Sequence, residues 1–203
     1  SKVKNGSLKL INKTIEELGF NQIPDEKNIV IESSRSQGSI VLHSCFGTKI
    51  NSTLSTLLSS MISSVLGSMV DSRSDGYRIV LSSRSRISEK LFLETIKDNY
   101  DLYSIVTASL TGTHNVNWKT WCVAKKFGIV GRGAIYEKKS ARFLYERYAK
   151  TPLVKEALRE LFHDKYDLEN TDKILKKIRD NEIMITWLEI DKFSKLAEPI
   201  LDH

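Results

Sequence analysis

The chain has 203 residues, 40% of them hydrophobic and 28% charged, with three prolines. That is enough apolar material for one core, and the balance excludes a disordered segment. The net charge of +6 and a pI near 9.2 make a polyanion the expected partner, nucleic acid first and an acidic protein surface second.

Leu8 to Leu18 reads as a helix closed by Gly19. Asn28 to Ile31 and Ser39 to Leu42 read as strands around the polar turn Ser33 to Gly38. Ile50, Leu54, Leu57, Leu58, Met61, Ile62, Val65 and Leu66 follow helical spacing up to Gly67. Val70 and Tyr77 to Leu81 form a strand pair around the Ser74-Asp75-Gly76 turn. Ser88 caps a helix through Ile96, and a short helix spans Leu102 to Leu110. Asn117 to Phe127 and Ser140 to Tyr148 are helical, and Thr151-Pro152 opens a helix to about His163. Another starts at Asn170 or Thr171 and ends near Asp180. Glu182 to Ile190 is apolar on both faces, which predicts a strand inside a sheet. The fold class is α+β: an antiparallel β-sheet flanked by several α-helices, with a helix-rich second half.

Charge is concentrated. Lys119 to Lys150 holds nine Lys and Arg against Glu137 and Glu146, a net of +7, so the rest of the +6 chain sums to −1. Such a segment fits a phosphate-binding surface, and a solvated helix face is the competing explanation. The candidate contacts are Trp118, Lys119, Trp121, Lys125, Lys126, Arg132, Lys138, Lys139 and Arg142. Trp118, Trp121 and Cys122 make a helical stripe, either core or a platform for an unpaired base. Lys125 continues that stripe, its stem toward the core and its head in water. Arg132 lies in Gly131-Arg132-Gly133, which either brings backbone and guanidinium to a phosphate or is simply a flexible loop.

The polar face of the helix from Asn51 to Leu66 carries hydroxyls and no charge. Either a second surface covers it or it is a solvated face of unusual composition. Other chemistry is missing from the pattern. There is no G-x-x-x-x-G-K-[ST] loop, no C-x-x-C and no H-E-x-x-H, so neither a bound nucleotide nor a metal is expected in this stretch. His43 and Cys45 share a strand face and admit a nucleophile–base pair, but a buried inert thiol beside a structural histidine is the expectation. Cys45 and Cys122 give no disulfide framework, and Ser1 to Gly6 lacks the apolar run of a signal peptide. The longest uncharged run, Ile50 to Val70, is too rich in Ser and Thr to span a membrane. A cytoplasmic location with no membrane partner is expected.

Several segments resemble one family in order. His43-Ser44-Cys45-Phe46-Gly47 with Asn51-Ser52-Thr53-Leu54, and Asp75-Gly76-Tyr77-Arg78-Ile79-Val80-Leu81, are similar to large helicase-related (Lhr-type) proteins, superfamily 2 ATP-dependent helicases. Val123 to Val130, Thr151 to Glu160, Ile178 to Ile183 and Ser194 to Ala197 resemble their archaeal branch. The likeness covers roughly residues 25 to 200. It departs around Trp118-Lys119-Thr120-Trp121, where the family leads one to expect more arginine and Thr120 carries no charge.

The resemblance implies a module of a larger enzyme. Residues 1–24 would be an N-terminal helix, with the end of a preceding domain as one origin, and 25–203 the helicase-associated C-terminal domain. The implied function is an accessory domain of an ATP-dependent 3′-to-5′ DNA helicase that guides or grips single-stranded nucleic acid during unwinding. Implied partners are single-stranded DNA or an RNA–DNA hybrid, and the motor and winged-helix domains of the same parent chain. ATP and Mg would belong to the parent helicase and not to this stretch. The alternative is a protein-interaction scaffold that sits on the motor and recruits a DNA repair partner.

Overall fold

The computed structural model describes residues 24–34 and 38–201. The expected helix at Leu8 to Leu18 with Gly19, the centre of the first turn (Arg35, Ser36, Gln37) and His203 lie outside these residues. Ser33 and Ser34, expected in that turn, belong to strand β1, Asn28–Ser34. It is followed by β2 (Ser39–His43), helix α1 (Thr48–Leu66), β3 (Val70–Ser74) and β4 (Arg78–Ser83). Then come α2 (Glu89–Lys97), α3 (Leu102–Leu110), α4 (His114–Lys126), α5 (Lys138–Tyr148), α6 (Pro152–Lys165) and α7 (Leu168–Arg179). Strand β5 (Met184–Ile190) and a short α8 (Glu198–Leu201) complete the described chain.

The sheet runs β3-β4-β2-β1-β5. The first four strands pair antiparallel, and β5 lies parallel to β1, with Ile29 beside Ile185 and Ile31 beside Trp187. The expectation that the last strand lies inside the sheet is therefore corrected: β5 is an edge. Its apolar residues on both faces have separate causes. Ile185 and Trp187 pack on the helix side, where Trp187 meets Phe92 of α2 at 5.8 Å, while Met184 on the opposite side is exposed. Gly38 is needed where the chain enters β2, because a Cβ there would lie 2.0 Å from the Ser83 carbonyl oxygen.

One sheet face is the core floor. Ile29, Ile31, Ile40, Leu42, Ile79 and Leu81 meet Leu54, Leu57, Leu58 and Ile62 of α1, with α2, α3 and α7 closing around that helix. Gly67, in the left-handed region at φ 62°, ends α1. The uncharged polar face of α1 is covered within the domain over its first turns, half-buried beyond them and exposed at Ser64. Asn51, Thr53 and Ser55 are buried. Thr53 Oγ1 accepts from the Asp167 amide (3.0 Å) and Ser63 Oγ from the Val70 amide (2.9 Å), so small hydroxyls tie down neighbouring chain ends. At Asn51 and Thr53, with no exposed surface, a charged side chain would have no solvent to enter. Asn51 donates to the carbonyls of Ser44 and Asp75, each at 2.9 Å, and thereby pins the Ser44–Gly47 loop to the Asp75-Gly76 turn.

The other sheet face is closed by the segment after β5. Phe193, Ala197, Ile200 and Leu201 cover Val41 and Val80. Beneath this strap, Glu32 and His43 are both buried, joined at 2.7 Å between Oε1 and Nε2. Ser194 donates its amide (2.8 Å) and hydroxyl (2.5 Å) to the Glu32 carboxylate. Burial pushes the Glu32 carboxyl up, but the bonds from His43 and Ser194 together outweigh it and hold the group below its ordinary value. Arg78 donates to the Leu196 carbonyl, fixing the strap from the neighbouring strand.

Candidate nucleic-acid interface

Helices α4, α5 and α6 build a second, smaller core from Val123, Ala124, Leu153 and Ala157, with Val130, Leu144 and Tyr148 packed against it. Val116 of α4 and Leu161 of α6 belong instead to the main core, so this unit is anchored at one end. Helix α4 begins at His114, three residues before the expected start, because Gly112 at φ 72° turns the chain into it.

Lys119 and Lys126 stand two turns apart on α4 and face α6, which presents Glu160 and Asp164 one turn apart. Lys119 Nζ donates to Asp164 at 2.6 Å, and Lys126 Nζ donates to both oxygens of Glu160 at 2.7 and 2.9 Å. The bond to Asp164 holds the Lys119 ammonium above its ordinary value against partial desolvation. The bonds from Lys119 and then His163 hold Asp164 below its own. Two of the predicted phosphate contacts thus carry counter-charges on α6. The charge census over residues 119–150 missed them because Glu160 and Asp164 lie beyond that window.

The other predicted cations differ. Lys125 is half-buried and Arg132, Lys138 and Lys139 are exposed, and none has an ion-pair partner among the described residues. Arg142 is exposed but bonded to Glu146 at 2.8 Å. Lys138 and Lys139 open α5, whose first turn holds no acidic residue. Cations at that end oppose the helix dipole by about 0.3–1 kcal/mol each, a cost that a bound anion removes.

The tryptophans divide. Trp121 is buried at 7% exposure, and Trp118 is 45% exposed. Both stand edge-on to Tyr136, at 5.9 and 4.6 Å between ring centroids, and His114 Nδ1 lies 3.2 Å from the Tyr136 hydroxyl. Tyr136 sits in a loop with no periodicity, so no sequence pattern pointed to it. Beside this cluster lies a groove of ≈ 450 Å³ lined by Trp121, Val130, Lys139, Ser140, Phe143 and Leu144. Phe143 is 59% exposed, with the Arg147 guanidinium 6.0 Å from its ring centroid. Phe143 shares its helix with Ala141, Leu144, Tyr145 and Tyr148, so composition alone did not single it out.

A second pocket of ≈ 450 Å³ lies between α1, β3 and the end of α6. Two of its three cations are engaged, Lys49 with the His163 carbonyl (2.7 Å) and Lys165 with Asn115 (3.1 Å). The nucleophile reading of His43 and Cys45 loses its geometry. Cys45 is exposed, not buried as expected, because β2 ends at His43 and the chain turns outward. Desolvation first, then repulsion from Asp25, hold its thiol above the ordinary value, the reverse of activation. Among the described residues no helix is long and apolar enough to cross a membrane.

Comparison with known proteins places these features. Residues 23–197 match the family described as DEAD/H associated. The ATP-dependent helicase Lhr-Core protein 2 of Thermococcus barophilus is 24% identical over 187 residues, covering 85% of this chain and 22% of that protein. The structure of the Mycobacterium smegmatis helicase Lhr bound to ssDNA and AMP-PNP superposes with a TM-score of 0.74 at 20% identity, covering 95% of this chain and 26% of that one. The chain therefore spans about a fifth to a quarter of the proteins it resembles.

Proposed function

The chain belongs to the DEAD/H associated family, the helicase-associated region of Lhr-type helicases, and on that premise we propose that it grips single-stranded nucleic acid through the α4–α5 surface. The observation that carries this reading is the set of predicted cations without an ion-pair partner among the described residues: Lys125, Arg132, Lys138 and Lys139. Phosphates supply the missing counter-charge and release their own condensed ions in exchange. The solved relative bound to ssDNA supports the same partner. In the parent enzyme, ATP and Mg act at motor domains that this stretch does not contain. There the domain holds one strand of a DNA duplex or an RNA–DNA hybrid as the motor advances 3′ to 5′.

A scaffold role has its own observation. Val65 and Met69, at the end of α1, are 65% and 76% exposed, far from the basic surface in sequence. They suit docking on a neighbouring domain of the parent, or on a DNA repair partner, and leave the α4–α5 surface free. The test is anisotropy of a labelled single-stranded oligonucleotide. Lys138→Glu with Lys139→Glu should abolish binding at low salt while the thermal melt is retained. Unchanged binding would remove the grip and leave the scaffold reading.

A further inference from the structure

We propose that the groove between α4 and α5 receives one unpaired base of the bound strand, stacked on the ring of Phe143. This rests on the strand reading above, and it relocates the aromatic contact from the tryptophans to a residue that sequence reasoning passed over.

Stacking needs an aromatic face open to solvent. Trp121 is 7% exposed and Trp118 already meets the Tyr136 ring, whereas Phe143 is 59% exposed. Phe143 shares its exposure with other apolar residues, Phe127 among them, but it alone of these lines the α4–α5 groove with its cationic lip. The groove beside it has an apolar floor of Trp121, Val130 and Leu144 and a polar lip of Lys139 and Ser140. A nucleobase matches that division: its faces are apolar and its edge bonds to polar groups. Charge complementarity fixes the occupant. Lys139 reaches the groove without an ion-pair partner among the described residues, Lys138 precedes it, and the Arg147 guanidinium lies over Phe143. A base placed there carries its phosphate into a cationic rim, which an apolar peptide side chain would not supply. Base–aromatic stacking is worth about 1–3 kcal/mol per base, a factor of roughly 5 to 160 in affinity.

The experiment uses this chain with a single-stranded oligonucleotide carrying 2-aminopurine, whose emission is quenched when it stacks. Phe143→Ala should weaken binding roughly 5- to 160-fold with an unchanged salt slope, and should relieve quenching at one position of the strand. Phe143→Trp should restore both. Because Phe143 is largely exposed, the melt of Phe143→Ala serves as the folding control. Wild-type affinity and quenching in Phe143→Ala, with a flattened salt slope in Lys138→Ala/Lys139→Ala, would overturn the groove and leave the basic surface standing. Wild-type behaviour in both variants would remove the basic surface and the groove together.

Discussion

Replacing Glu160 with glutamine tests whether internal ion pairs set the electrostatic strength of this domain. Glu160 is 24% exposed and holds Lys126 through both carboxylate oxygens, and it lies 3.7 Å from Lys119. Lys119 keeps Asp164 in the variant, so one ammonium is released. Each phosphate neutralised on a single strand contributes about −0.7 to the slope of log affinity against log salt. The four unpaired cations therefore give roughly −2.8, and all seven predicted cations would give roughly −4.9. Between about 50 and 200 mM salt these slopes mean losses of roughly 50-fold and 900-fold, which are easily told apart. Glu160→Gln should steepen the slope to about −3.5, and Lys138→Ala/Lys139→Ala should flatten it to about −1.4. The assay is fluorescence anisotropy of labelled oligo-dT over a salt series. A wild-type slope near −4.9 that Glu160→Gln leaves unchanged would refute the reasoning, since the α4–α6 pairs would then open on binding.

Three further outcomes follow from the packing. Glu32→Ala should cost about 3–5 kcal/mol by removing the buried carboxylate that His43 and Ser194 share. Because the folded state holds the Glu32 carboxyl low, stability from this site should be complete above the unfolded value of about 4.3 and lost as pH falls through the folded one; acid titration followed by circular dichroism reads this, and Glu32→Ala should flatten it. Asn51→Ala should cost roughly 3 kcal/mol in urea unfolding by stranding the Ser44 and Asp75 carbonyls, whereas Ser64→Glu, on the exposed end of α1, should stay within about 0.5 kcal/mol. Trp121→Ala should lower unfolding free energy by roughly 3–5 kcal/mol and Trp118→Ala by less than half of that, since Trp118 is 45% exposed.

Helical periods and turn residues survive in sequence because they are local. Ile50 to Leu66, Thr151-Pro152 and the Ser74-Asp75-Gly76 turn stand where periodicity, proline geometry and turn residues place them, although the Thr151 hydroxyl bonds back to the Tyr148 carbonyl instead of capping its helix. The start of α7 was misplaced because Asp167, rather than Asn170, is its cap, accepting the Asn170 amide at 3.0 Å. What sequence could not supply was pairing at a distance. The apolar alternation of Met184 to Ile190 is compatible with an interior strand, and only the neighbours of β5 make it an edge. The basic segment was legible as composition, but its division into paired and unpaired cations depends on α6 lying beside α4. Among the segments that carried the family likeness, Ser44, Asn51 and Asp75 are joined to one another by hydrogen bonds through Asn51, which gives that stretch a structural reason for its residues.

The parallel pairing of β1 with β5 bears on how the domain is made. During synthesis β1 can pair with β2 at once, but its other side waits for residues about 150 positions later. At about 5–20 residues per second that interval is roughly 8–30 s. Throughout it, the Ile29-Val30-Ile31 strand presents unsatisfied amides and carbonyls along an apolar ribbon, the template for pairing with another nascent chain. A transcript or nuclease-trimmed message that stops before Met184 should therefore yield insoluble protein even though every helix on the basic surface is already encoded. Supplying the Ile183–Ile190 segment as a separate peptide should rescue that truncated product in proportion to its concentration.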